Sequence, residues 1–436
     1  MKVGPGTQRR GTSTGPVARR GLSRLISIGL FYVGFSAAID RAAPDFGGLF
    51  SLNLAVALGL GWLGWHGLEM WPALRTYYRY ATALSIWFCM SSIAAWDLNA
   101  FSWSILTAVR LLYIVPGIAN LVRDVTHRKA LFVGIFGAAM TYALTGLGRL
   151  AVGREVFDLP DPSRAVLLGV KRGFVNSRLL YVIPFLVNNA PRILPKLRWA
   201  GAAALVAGVV VSGGRAGLLG LAFIVLVLAL VRPGASQKVR AIVVAVLLGL
   251  TFVTAISEFG GQAVVGKNRL VAFVRGERTS SEDIREAQFK RAWHAGWANP
   301  AFGVGPDGLR GLRDDDSFQG VKHLGSRENA IRGGTHNSYI QVFAEFGVPG
   351  LLGFLLLFVA LLRAAWRERE RPEMQAVIAA FASMMLTMLF HAMSLAFAYY
   401  PLAFLVGALG DRRFGSGGDG ARRAPELGTS GTSVRL

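Results

Sequence analysis

His336 stands in the run Gly333-Gly334-Thr335-His336-Asn337-Ser338-Tyr339, directly before a long apolar stretch. Imidazole accepts a proton near neutral pH, which is what activating a hydroxyl nucleophile requires. Asn337 beside it offers an amide to a polar substrate. Arg215 occupies Val211-Ser212-Gly213-Gly214-Arg215-Ala216-Gly217, between two apolar runs. The glycine pair lets backbone approach an anion, a helix start presents free N–H groups, and a guanidinium forks onto phosphate. Lys171, Arg172 and Arg178 flank Gly173-Phe174-Val175-Asn176-Ser177 and again suit a phosphate. Asn176 either hydrogen-bonds a sugar or caps the next helix. The plainer readings stay open: Arg215 snorkelling at a hairpin, and a solvated loop around 171–178.

A helix is predicted over 281–297. Ser280 or Ser281 caps it, early acids complement its dipole, and Glu286 and Lys290 pair at i,i+4. Phe289, Trp293 and Trp297 form one stripe, read first as packing and second as a sugar platform. Arg291 lies on another face and is a further cation for the site.

No metal and no cofactor is expected. Cys89 is the single cysteine and no His/Cys/Glu set has zinc spacing. Asp314-Asp315-Asp316 reads as a solvated acidic run. Gly303-Val304-Gly305-Pro306-Asp307-Gly308 fits G-x-G-x-x-G, but no strand precedes it and Pro306 interrupts it, against a dinucleotide fold.

The elements that position these residues are membrane helices. Hydrophobic residues make up 53% of the 436 and charged ones 17%, with a net charge of +22. That much apolar content excludes a disordered basic chain, and its packing into long uncharged runs argues against a nucleic-acid binder. Roughly 20 apolar residues cross a bilayer. On that criterion spans fall near 22–39, 47–65, 77–95, 101–120, 130–148, 177–190, 198–212, 216–231, 240–257, 338–362, 375–391 and 394–410. The fold class is therefore all-α and polytopic, with about twelve transmembrane helices and one large, partly helical outer loop. A β-barrel is excluded by the lack of alternation.

Lys2, Arg9, Arg10, Arg19, Arg20 and Arg24 crowd one terminus and Arg412, Arg413, Arg422, Arg423 and Arg435 the other. Positive charge marks the cytoplasmic side, so both ends lie inside and the span number is even. The organisation follows: a disordered terminus at 1–20, helices one to nine over 21–257, an outer loop domain at 258–337, helices ten to twelve over 338–410, and a disordered tail at 411–436. His336, Arg215 and the 171–178 cluster then share the outer face. Candidate residues gathered at one interface favour an enzyme over an anion transporter, whose polar groups sit near the midplane.

Arg291-Ala292-Trp293, Asn299-Pro300-Ala301-Phe302-Gly303-Val304-Gly305, His336-Asn337-Ser338-Tyr339 and Glu345-Phe346-Gly347-Val348-Pro349-Gly350 resemble the signature of the O-antigen ligase and polymerase superfamily. The likeness is clearest over about residues 200–365. It implies a GT-C-like, metal-independent, inverting glycosyl transfer at the periplasmic face of the bacterial inner membrane. The donor it implies is a glycan on undecaprenyl diphosphate; in ligases the acceptor is a lipid A–core hydroxyl. The superfamily's Arg after the small-residue turn falls on Arg215 and its loop His on His336. Polymerases and protein O-oligosaccharyltransferases share the motifs, so the acceptor stays open.

Overall fold

In hydrocarbon every backbone N–H and C=O must pair within the chain, so apolar runs of this length fold as helices. The computed structural model describes residues 16–39, 47–151, 172–188, 198–211, 215–231, 280–310, 312, 335, 337–389 and 399–410. Every regular element among them is helical: α1 (Pro16–Ile39), α2 (Gly47–Trp65), α3 (Pro72–Ala94), α4 (Leu98–Val109), a π turn (Arg110–Ile114), α5 (Val115–Leu121), α6 (Val125–Ala151), α7 (Arg172–Val187), α8 (Arg198–Val211), α9 (Arg215–Val231), α10 (Ser280–Ala298), α11 (Ser338–Arg367), α12 (Pro372–Thr387) and α13 (Tyr399–Ala408).

Helix occupies eleven of the twelve runs read from the sequence. The run at 240–257, most of the outer loop and the tail at 411–436 lie outside the described residues. Leu98–Leu121 and Ser338–Arg367 are long and apolar enough to cross a membrane; Asn53–Trp65, Arg198–Val209, Leu219–Val231 and Tyr399–Ala408 are apolar but shorter. Two boundaries differ from expectation. Helix α1 starts at Pro16, inside the terminus read as disordered, because proline suits a first helical turn. Helix α7 runs through Pro184, which the apolar pattern treats as an interruption.

The helices pack through close backbone approaches. A Cβ on Gly64 of α2 would lie 1.9 Å from the carbonyl oxygen of Gly117 in α5, so only glycine admits this crossing. Around that crossing, proline and the π turn leave carbonyls without helical partners. Pro116 has no N–H to give Leu112, and Tyr78 Oη donates to that carbonyl at 3.1 Å. Tyr77 Oη donates to Leu111 O at 2.7 Å and Trp65 Nε1 to Tyr113 O at 3.0 Å. Three side chains thus satisfy the carbonyls of one irregular turn, as an apolar interior demands.

The segment after α10 interlocks with α11. Val304 N and Gly305 N donate to Ala344 O and Glu345 O at 2.9 and 3.0 Å, and Val348 N donates back to Pro300 O at 2.8 Å. Phe302 stacks on Trp87 of α3, with 5.0 Å between ring centres. Gly303 and Gly305 both take positive φ, so the G-x-G-x-x-G stretch is a tight turn that docks α10 onto α11, and no phosphate loop follows a strand here.

Candidate active site

Three helix starts, those of α7, α9 and α11, come to one end of helix α12. Asn188, just past α7, donates from Nδ2 to Pro372 O at 3.3 Å, where α12 begins. Helix α7 therefore runs against α12, and its first turn, which holds Arg172, lies towards the far end of α12. Ser383 near that far end donates from Oγ to Gly220 O in α9 at 3.4 Å. A Cβ on Gly220 would also lie 2.4 Å from Leu180 Cδ1 of α7. Gly220 is five residues from Arg215 and Ser383 five from Met388, about 7.5 Å of helix each at 1.5 Å per residue. Met388 O in turn accepts Ser338 N at 2.8 Å. The starts of α7, α9 and α11 thus gather where α12 ends. The positive ends of three helix dipoles meet there, a setting that favours an anion, although the first amides of α11 are already taken by Met388 O and by Asn337.

Helix α11 is capped by the residue after His336. Asn337 Oδ1 accepts Tyr339 N at 3.0 Å and Ile340 N at 3.1 Å. Its side-chain oxygen is therefore engaged in the cap, and its amide nitrogen is the part available to a substrate. Thr335 on the other side is buried, with Oγ1 donating to Asn337 O at 2.8 Å. Tyr339 Oη ties the same turn to Met385 O at 2.8 Å. His336 itself and Lys171 lie outside the described residues, as do the side chains of Arg172, Asn176, Arg178 and Arg215; for the last four the helix that carries them is placed.

Arg291 is only 1% exposed and shares a face of α10 with Ala292 and Ala295, which cluster with Ile340 and Ala344 in the first two turns of α11. The predicted ion pair is present, Lys290 Nζ to Glu286 Oε1 at 2.9 Å. Phe289, Trp293 and Trp297 line one edge of α10 and stay substantially exposed, although Trp293 and Trp297 touch Phe343 of α11.

The fold buries four charged side chains to which the sequence assigned no role of their own. Glu345 is buried in α11 and its Oε1 accepts Gln341 Nε2 at 2.9 Å. Arg110, the one charge in an otherwise apolar run, is buried with its guanidinium carbon 5.3 Å from the ring centre of Tyr399. An arginine inside a predicted span was itself the signal. At the opposite end of the helices Arg128 Nε lies 2.7 Å from Glu373 Oε1, and Arg123 binds Glu69 Oε2 at 2.7 Å and Gly410 O at 2.6 Å.

Curated proteins offer no match to this chain. Residues 200–355 match a family model described as O-antigen ligase, a span that holds Arg215, Arg291, His336 and Asn337 but not the cluster at 171–178. That family comprises glycosyltransferase-like enzymes acting on lipid-linked glycans in a membrane setting. Residues 200–355, which hold α9 with Arg215 at its start and the first turns of α11, are similar to the O-antigen ligase family.

Proposed function

We propose that the chain moves a glycan from undecaprenyl diphosphate to a sugar hydroxyl of lipid A–core, at the periplasmic face of the bacterial inner membrane. The observation that carries this reading is the family match over 200–355, with Arg215 and His336 inside it. In this reading about twelve helices cross the membrane, both termini are cytoplasmic, and 258–337 is periplasmic. The acceptor oxygen attacks the anomeric carbon as the bond to the diphosphate oxygen breaks, which inverts the centre. His336 takes the acceptor's proton. Arg215, with Arg172, Arg178, Lys171 and Arg291, neutralises the departing diphosphate, a role that metal ions fill in other transferases. Asn176 and Asn337 orient sugar hydroxyls. Holding two membrane lipids in one groove supplies the proximity term.

The test uses purified protein in nanodiscs with lipid-linked glycan and lipid A–core, with and without EDTA. Joined product that persists in EDTA is the expected result. Glycan polymer formed from donor alone would reassign the chain to polymerisation. Transfer to a protein acceptor would make it a protein glycosylase. Flux of an anion without transfer would place it among transporters.

A further inference from the structure

The exposed arc of α10 is divided lengthwise. Phe289, Trp293 and Trp297 recur at four-residue spacing along one edge and keep 41–55% of their surface exposed. Glu286, Lys290 and His294 run along the other edge and are exposed too. The remaining face, with Gln288, Arg291, Ala292 and Ala295, is buried against α11 and its neighbours. A water-soluble helix docked on a protein surface has no reason to keep three large aromatic rings in water along one line. Covering them gains free energy in proportion to the apolar area removed from water.

What lies next to that edge identifies its occupant. Three residues after Trp297, Pro300 O accepts the amide of Val348 at 2.8 Å. Val348 begins the outward-facing row of α11, which continues through Leu352, Leu356 and Val359, all exposed and all apolar on a helix long and apolar enough to cross a membrane. The aromatic edge therefore continues directly into a lipid-facing surface. The level agrees. A Cβ on Gly305, in the same turn, would lie 2.7 Å from Cβ of Ala95, at the end of α3. Immediately beyond stand Trp96, Leu98 and Trp103, again exposed. Tryptophans at helix ends beside apolar stretches mark the boundary between hydrocarbon and headgroups.

We propose that α10 is an interfacial anchor: it lies along the membrane surface with Phe289, Trp293 and Trp297 in the acyl–headgroup boundary and Glu286, Lys290 and His294 in water. Its third face holds Arg291 against the first turns of α11. The bilayer thereby fixes the height of the loop carrying the active-site residues relative to a lipid-borne substrate. The inference rests on reading α11 as a span and not on which sugar is transferred.

Two adjacent positions test it. In a chain with Cys89→Ala, the variants Phe289→Cys and Lys290→Cys carry an environment-sensitive fluorophore, in nanodiscs of phosphatidylethanolamine and phosphatidylglycerol; Leu356→Cys reports on the span. The label at 289 is expected to emit to the blue of that at 290 and to be quenched by shallow spin-labelled lipid. The label at 290 is expected to be quenched by aqueous iodide. Combining Trp293→Ser with Trp297→Ser should move the 289 label into water. Equal iodide quenching at 289 and 290, with Leu356 in lipid, overturns the anchor alone. Leu356 in water overturns the anchor together with the span. Protection of the 289 label by added oligosaccharide and not by lipid assigns the aromatic edge to a sugar platform and overturns the anchor as well.

Discussion

Gly303 and Gly347 hold each other's chain segment in place. A Cβ on Gly303 would lie 2.3 Å from the carbonyl carbon of Glu345, and one on Gly347 2.4 Å and 2.5 Å from the oxygens of Ala301 and Pro300. Both have φ of +69°, and Gly347 pairs this with ψ of −171°, a conformation essentially confined to glycine. Backbone is pressed on backbone at two reciprocal points, and α10 is docked to α11 between them.

Gly347→Ala and Gly303→Ala are therefore expected to be severe. Backbone strain alone costs about 1–3 kcal/mol at such a position, and the overlap with main-chain atoms adds to it. Both variants should give a lower folded yield and an earlier thermal transition in detergent, measured by fluorescence-detected size exclusion. Gly59→Ala, on α2 with nothing within 4 Å of its Cβ, is the control expected to behave as wild type. Normal melting of Gly347→Ala would mean that the loop and α11 separate freely.

The ion pair at the other end of the helices makes a second prediction. Arg128 and Glu373 side chains are 1% and 14% exposed and 2.7 Å apart, tying the start of α6 to the start of α12. Removing Arg128 leaves Glu373 the longer contact to Arg371 at 3.8 Å; breaking such a buried pair costs up to about 3–5 kcal/mol, whereas replacing both partners with apolar residues of similar volume is often near neutral. Arg128→Met should lower the melting temperature strongly, and adding Glu373→Leu should recover most of the loss. A double variant as unstable as the sum of the singles would show that the two act separately.

The helices were legible from composition because apolar runs admit few alternatives in lipid: 47–65 was expected and Gly47–Trp65 is observed. The candidate site was legible in part. Gly213-Gly214-Arg215 announced a helix start, and α9 begins at Arg215. What stayed hidden depends on contacts far apart in sequence. The G-x-G-x-x-G pattern around Gly303 could be set aside from sequence, but the contact with Glu345 that Gly303 serves could not be seen there. Arg128 and Glu373 are separated by two hundred and forty-five positions, and nothing in the local sequence of either pairs them. Asn337 reads as a substrate ligand, yet its oxygen first serves the amides of α11, a role local sequence also permits.

Asp124 supplies a pH-dependent element. Burial works against its charge, but the amides of Thr126 at 2.7 Å and His127 at 3.3 Å favour the carboxylate, and its pKa lies below the usual carboxylate range. A depressed pKa means stability present above the unfolded value of about 3.9 and lost as pH falls through the folded value. Asp124→Ala should cost about 1 kcal/mol at neutral pH as a lost cap, with a shallower loss of stability on acidification. The melting temperature measured from pH 7 down to the acid limit checks both; an unchanged acid slope would remove Asp124 from the account.

Arg215→Lys keeps the charge at the start of α9 but loses the planar fork. If Arg215 grips the diphosphate through two parallel hydrogen bonds, most turnover should disappear at saturating lipid-linked donor. Unchanged turnover would reduce Arg215 to a topological anchor at the membrane surface.

His336 decides whether the transfer uses a protein base. As general base, its removal in His336→Ala should slow the chemical step by roughly 10²–10⁴-fold. Donor affinity should barely change, since the diphosphate charge is met by arginines. Folding should survive, because Thr335, Asn337 and Ser338 anchor the adjoining backbone through Asn337 O, the α11 cap and Met388 O, bonds that do not use the imidazole. His336→Gln separates base from hydrogen-bonder: the amide keeps a donor and an acceptor but takes up no proton at neutral pH. Single-turnover transfer by both variants, measured beside donor binding, distinguishes the roles. A Gln variant as slow as the Ala variant, with donor still bound, is the result expected of a base. Near-normal transfer by Gln would leave His336 a positioning role only, and loss of donor binding in both would move it to the diphosphate.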